Sequence, residues 1–208
     1  MRKLFLLLAF SLPASAVTID RVAAVVERDV IAVSEVSQMV VLRFFARTAG
    51  QSDDEYRHSV LENLIAQALR FRDVERFGPQ DISKDAIEAR LKEIQSRFAS
   101  AAEFEASLQA SELTLDEVRA LIKRQLQVEA YIQERFAPLV FIPNEDIEAY
   151  YRGPWSKQRR ERGLPIPPLS EVREEIRTLL RADRLRNEVT TWTTQLRASV
   201  NVDVYAWR

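Results

Sequence analysis

Two short phrases, Ser52-Asp53-Asp54-Glu55 and Thr114-Leu115-Asp116-Glu117, constrain this chain's fold more than any other feature of it. In each, a hydroxyl can accept the amide three residues on, while the carboxylate at that position reaches back to the first amide. Acidic residues also suit the positive end of a helix. Behind the first phrase Val60, Leu61, Leu64, Ile65, Ala68 and Phe71 recur at helical spacing until Gly78-Pro79 stops the run. Behind the second, Leu115, Val118, Ile122 and Leu126 begin a stripe that continues to about Phe136. Ser83 caps a further helix through Ile87, Leu91, Ile94 and Phe98, and a short one follows around Phe104 and Leu108. The spacing therefore predicts a mainly α fold.

The flanks differ. Ile19 to Val26 and Val30 to Val33 are rich in Val and Ile and break at Glu27-Arg28-Asp29, which predicts a hairpin, although that turn lacks the favoured Asn or Gly. Ser34 is placed to cap a first helix reaching about Thr48, with Gly50 as its C-terminal cap. Pro143-Asn144 opens a short helix from Glu145 to Tyr151. Near the end, Ser170 caps a long amphipathic helix through Val172, Ile176, Leu179, Val189, Trp192 and Leu196, and alternating Val200, Val202 and Val204 predict a last strand. A hairpin needs a third strand or a helix as cover, and the last strand needs a partner, so the two chain ends are expected to pair.

Residues 1–16 read as a secretory signal peptide. Arg2 and Lys3 precede an apolar run from Leu4 to Leu12, and Ala14-Ser15-Ala16 offers a small-residue cleavage site. The run is too short for the roughly 20 residues that span a bilayer, so a mature protein starting near Val17 and not stably inserted in the membrane is expected, an uncleaved anchor being the alternative. Beyond Arg2 and Lys3 there are 28 basic and 31 acidic residues, a net charge near −3 that does not suggest nucleic acid as a partner. The chain has no Cys, so packing alone must stabilise it.

Catalytic chemistry finds little to work with. The four Gly form no phosphate-cradling motif, and the single His58 cannot build a His-rich metal site or a Ser-His-Asp triad. His58 reads most simply as a helix residue, and Asp53-Asp54-Glu55 as helix-start electrostatics. No cofactor is implied. One apolar feature is broader than a core stripe requires: Val36, Met39, Val40, Val41, Leu42, Phe44 and Phe45 cover more than one side of the first helix. Either several elements surround it, or a face carrying Met39, Leu42, Phe44 and Phe45 is left for binding apolar sequences.

Ile19 to Val26, Val30-Ile31 and Ser34-Glu35-Val36 resemble the opening of the SurA family of periplasmic chaperones and parvulin-type isomerases. Weaker matches follow in that family's order at Leu61 to Ile65, Arg119 to Leu126, Pro143 to Tyr151 and Leu169 to Val204, the last with Trp192 and Leu196-Arg197. The resemblance implies a helical chaperone module whose small sheet joins the N-terminal hairpin to the C-terminal strand. The family's parvulin domain would lie where Arg152 to Pro168 stands here, 17 residues holding two of the four Gly, four of the eight Pro and the charged run Lys157 to Arg162. That segment reads as a linker, with no His or Cys and far below the ~50 residues of an independent domain.

The expected organisation is thus signal peptide 1–16, peptide-binding region 17–151, linker 152–168, and 169–208 completing the same domain. The resemblance implies a periplasmic chaperone that binds unfolded or extended envelope-protein segments without catalysis. The alternatives are a prolyl isomerase with an unrecognised site and an adaptor dedicated to one envelope partner. Swapping of the C-terminal helix between two chains to make a homodimer is compatible with this layout.

Overall fold

The computed structural model describes residues 20–205; the signal-peptide segment and the residues just after it lie outside them. Strands β1 (Val22–Val26) and β2 (Asp29–Ala32) form an antiparallel hairpin, and β3 (Val202–Val204) pairs antiparallel with the other edge of β1. The order β2-β1-β3 joins the two chain ends, as the unpaired strands required. Val25 faces Val30 on one side and Asp203 on the other, while an irregular register between Val22 and Ala24 marks a bulge. The tight turn does without Gly because Glu27 adopts a φ of 53°. Its amide donates to the Asn201 carbonyl at 2.9 Å and its carboxylate pairs with Arg72, so the strained residue is held from two directions.

Helices α1 (Val33–Val41), α2 (Asp53–Phe77), α3 (Lys84–Gln95), α4 (Ala101–Ala110) and α5 (Leu115–Arg135) follow. Both expected capping boxes are complete, at Ser52 with Glu55 and at Thr114 with Glu117. Ser83 and Ser100 cap α3 and α4 through their hydroxyls. The first helix departs from expectation at both ends. Ala32, not Ser34, holds the N-cap position, and Ser34 instead donates its amide to the Asp20 carboxylate at 3.3 Å. At the other end α1 stops at Val41 rather than near Thr48, because Arg43 turns into the left-handed region at φ 47°. The Arg43 amide donates to Val40 and that of Phe44 to Met39, which satisfies carbonyls that a longer helix would have used. Gly50, at φ 80°, therefore lies in a loop.

After a short 3₁₀ turn (Ala137–Leu139) come α6 (Asn144–Tyr150), a π-helical turn (Tyr151–Trp155), α7 (Ser156–Glu161) and α8 (Leu169–Ser199). The first part of the expected linker is thus helical, not an open tether. Pro154 lacks an N–H to give, and the wider π turn absorbs it. Trp155 is buried and stacks on Tyr151 at 5.5 Å, while the Tyr151 hydroxyl donates to the Pro167 carbonyl at 2.8 Å and closes the returning loop. Pro168, not Ser170, stands at the N-cap position of α8.

The apolar interior falls into three clusters. The largest gathers the sheet, α1 and the inner faces of α2 to α5 around Val26, Val36, Leu61, Ile65, Ile94 and Ile122. An aromatic cluster of Val74, Val128, Tyr131 and Trp192 ties α8 to α2 and α5. The third, of Val140, Ile142, Ile147, Trp155, Val172 and Ile176, sits at the start of α8. At 1.5 Å per residue, the 31 residues of α8 reach about 46 Å, enough to run from the third cluster back to the sheet.

Candidate binding site at the end of the first helix

The left-handed turn at Arg43 sends consecutive aromatic side chains in different directions. Phe44 enters the core, 3% exposed, whereas Phe45 stays half-buried and meets it edge-on at 5.3 Å between ring centres. Beside Phe45 opens a cavity of about 500 Å³, floored by Val40, Phe45 and Tyr56. Its rim carries four guanidinium groups, Arg43, Arg47, Arg57 and Arg97, with Asp53 the single carboxylate among the lining residues. Three separate elements deliver these residues: the end of α1 with its loop, the first turns of α2, and the chain just after α3.

The rim is braced. Arg97 donates from Nη1 to the carbonyls of Arg43 and Phe44, at 2.5 and 2.6 Å, and Arg43 donates back to the Arg97 carbonyl. Arg43 also pairs with Glu103 at 2.9 Å and lies 4.5 Å over the Phe98 ring. Arg47 pairs with Asp53 at 2.8 Å and donates to the Gln51 carbonyl, while its guanidinium lies 5.5 Å from the Tyr56 ring centre. Tyr56, 4% exposed, donates its hydroxyl to the Phe45 carbonyl at 2.7 Å, which fixes the floor against the loop. Burial pushes the Tyr56 phenol up from its ordinary pKa, and the charges of Arg97, Arg47 and Arg43 draw it back. Three cations therefore converge on the floor of one cavity.

The four residues expected to form a binding face separate here. Met39 and Leu42 are 1% and 0% exposed and belong, with Phe44, to the largest core cluster. Several elements surround α1, which accounts for its wide apolar surface; only Phe45 of the four lines the cavity. Met39 and Phe44 also border a second opening of about 440 Å³ beside the β2 edge, shared with Glu35 and Arg124. Sequence reasoning missed the arginines. Arg43 and Arg47 flank Phe44-Phe45 within five residues, a usable signal, but nothing local connects Arg97 to them.

Among the described residues no cluster of three or more His, Cys, Asp or Glu could hold a metal ion, and no helix is long and apolar enough to cross a membrane. His58 is an exposed residue of α2.

These features define a mainly helical protein with a small antiparallel sheet and an arginine-rimmed apolar cavity. No family model matches the chain. Among curated proteins it is similar to the chaperone SurA of Pseudomonas putida, 26% identical over 148 residues that make up 69% of this chain and 35% of that protein. The matched part is about a third of the relative's length, and similarity at this level supports a SurA-like relationship.

Proposed function

We propose that this chain is a chaperone of the bacterial cell envelope that holds unfolded or partly folded secreted and outer-membrane proteins without a catalytic step. The observation that carries the proposal is the similarity to a SurA chaperone along more than two thirds of the chain. The apolar lining and long arginine side chains of the cavity support it, because binding of varied sequences rests on many weak contacts rather than a few fixed ones. Residence in the periplasm would follow from export through the apolar N-terminal segment.

The test is light scattering of an unfolded outer-membrane protein diluted from denaturant without ATP. Suppression of aggregation by the protein, for at least two unrelated clients, is the expected result. Unchanged aggregation of both at several-fold molar excess would overturn the proposal and leave an adaptor for one partner.

A further inference from the structure

The cavity at the end of α1 has more positive charge than its neighbours consume. Asp53 is taken by Arg47, Glu103 by Arg43, and Glu55 folds back onto the Ser52 amide at 2.7 Å to close its capping box. Arg57 lines the cavity with no ion-pair or hydrogen-bond partner among the described residues. Arg97 meets only carbonyls, and through one nitrogen, so its remaining N–H groups are unspent. Two guanidinium groups thus border an apolar floor made by Val40, Phe45 and Tyr56.

Charge complementarity and volume together select the occupant. A cavity of about 500 Å³ falls within the ~300–1,000 Å³ of small-ligand sites and admits one or two side chains, not a folded partner. Guanidinium groups favour planar carboxylates, which they bind through paired hydrogen bonds. An apolar floor with a cationic rim fits an apolar or aromatic residue that has a carboxylate next to it.

We propose that this cavity is a subsite for carboxylate-bearing apolar segments of unfolded polypeptides, with Arg57 and Arg97 engaging the carboxylate and Phe45 and Tyr56 the neighbouring apolar side chain. This rests on the reading of the chain as a holder of unfolded proteins and gives that reading a chemical preference. The carboxylate has two sources, an Asp or Glu side chain or a free chain end.

Fluorescence anisotropy with three labelled peptides of the same apolar residues would decide it: one with flanking Glu and an amidated end, one with Gln and an amidated end, one with Gln and a free terminal carboxylate. With the full-length protein at low salt, the Glu peptide should bind about tenfold tighter than the amidated Gln peptide, the scale of one charge-assisted contact. Equal binding by the third peptide would assign the terminal carboxylate as well. Arg57→Glu should remove the preference with no fall in Tm, because Arg57 braces nothing, while Arg160→Glu, the same charge change on α7, should leave it intact. Equal binding of all three peptides, or equal loss in both variants, would overturn the proposal. Displacement by inorganic phosphate or anionic vesicles as effective as by unlabelled Glu peptide would overturn it too, as would self-association of the protein abolished by Arg57→Glu, which assigns the cavity to a second copy. Aggregation suppression is scored separately in each variant, so retained suppression without a carboxylate preference sinks only this subsite, and its absence from the wild-type protein sinks the chaperone reading itself.

Discussion

At Arg43 a single backbone angle decides the fate of its neighbours. A φ of 47° costs a residue with a side chain on the order of 1 kcal/mol, yet here it ends α1, buries Phe44 and leaves Phe45 at the cavity. The compensation comes from a distant part of the chain: Arg97 donates to the carbonyls of Arg43 and Phe44, and Arg43 donates to the Arg97 carbonyl in return. Core and cavity can then be told apart by substitution. Met39→Ala should cost roughly 2–5 kcal/mol, the usual penalty of emptying a packed site, and appear as a large fall in Tm. Phe45→Ser should lower Tm far less while weakening retention of unfolded clients; a similar loss of Tm in both would place Phe45 in the core as well. Glu35 gives a second residue-scale test. Burial raises its carboxyl above the usual range, against an opposing backbone hydrogen bond at Ala32 and the charge of Arg124. A raised folded-state pKa means that the unfolded chain ionises first, so stability is lost as pH climbs from the ordinary carboxylate range through the Glu35 value. Glu35→Gln should therefore raise Tm at neutral pH and have little effect in acid. A variant less stable at neutral pH would show instead that Arg124 and the Ala32 contact more than offset the burial.

Among the elements, α2 and α5 were legible because their information is local. A hydroxyl, a carboxylate three residues on and an apolar stripe specify start, direction and inner face within one stretch of chain. The end of α1 was not legible, since Arg43 carries no Gly or Pro signal and its conformation is stabilised from residue 97. Nor was the helix from Tyr151 to Glu161: Gly153 and Pro154 are breakers by composition, and the turn around them is held by the burial of Trp155 in a tertiary cluster and by the Ser156 hydroxyl, which donates to the Tyr151 carbonyl at 2.5 Å. The cavity was hidden for the same reason, its cations being brought together by packing. Thr114→Ala tests the local signal. Loss of the cap should cost about 1 kcal/mol of stability, read from chemical denaturation at constant m. Hydrogen bonds from the Thr114 backbone and side chain hold the Glu117 carboxyl below its ordinary pKa, so its contribution is present above the unfolded-state value and fades as pH falls through the folded-state value. The difference between Thr114→Ala and wild type should accordingly narrow in acid, and a pH-independent difference would assign the loss to the neutral bond that the Thr114 hydroxyl accepts from the Glu117 amide. The C-terminal element carries the larger consequence. β3 occupies one edge of the central strand, the Arg70 side chain donates to Thr193 at 2.8 Å, and Arg197 pairs with Glu62 at 2.6 Å. Deleting residues 169–208 should leave the remainder aggregation-prone or molten, with helical far-UV but lost near-UV dichroism. A fragment that still melts cooperatively near the full-length temperature would make the C-terminal segment a separate unit.

For the whole molecule the arrangement of apolar clusters bears on how it opens. The cluster of sheet, α1 and the inner faces of α2 to α5 is large and includes many fully buried side chains, whereas the cluster around Ile147, Trp155 and Ile176 has six buried residues, contributed by a loop, α6, the π turn and the start of α8. Stability scales with apolar burial, so the two should not have equal opening free energies. Along the middle of α8, between Leu180 and Leu185 on the third cluster and Val189 and Trp192 on the aromatic one, polar contacts add to the link: Arg181 donates to the Ala137 carbonyl at 3.0 Å, and Arg184 reaches the Phe141 carbonyl at 3.3 Å and Asp146 at 3.8 Å. Exposed pairs of this kind contribute about 0–1 kcal/mol each, so any strong coupling of the two cores must pass through the smaller aromatic cluster of Tyr131 and Trp192. Leu139 and Phe141, 76% and 75% exposed, add no apolar cover there. Native-state hydrogen exchange should therefore show the amides of α6, α7 and the first turns of α8 opening together, at a lower free energy than those of α2, α5 and β1. Ile176→Ala should lower the first set by roughly 2–5 kcal/mol and leave the second nearly unchanged, as expected when a buried side chain is removed from an independently opening unit. If both sets instead exchange with the same free energy, and Ile176→Ala lowers both equally, α8 transmits its packing along its whole length and the protein unfolds as one unit.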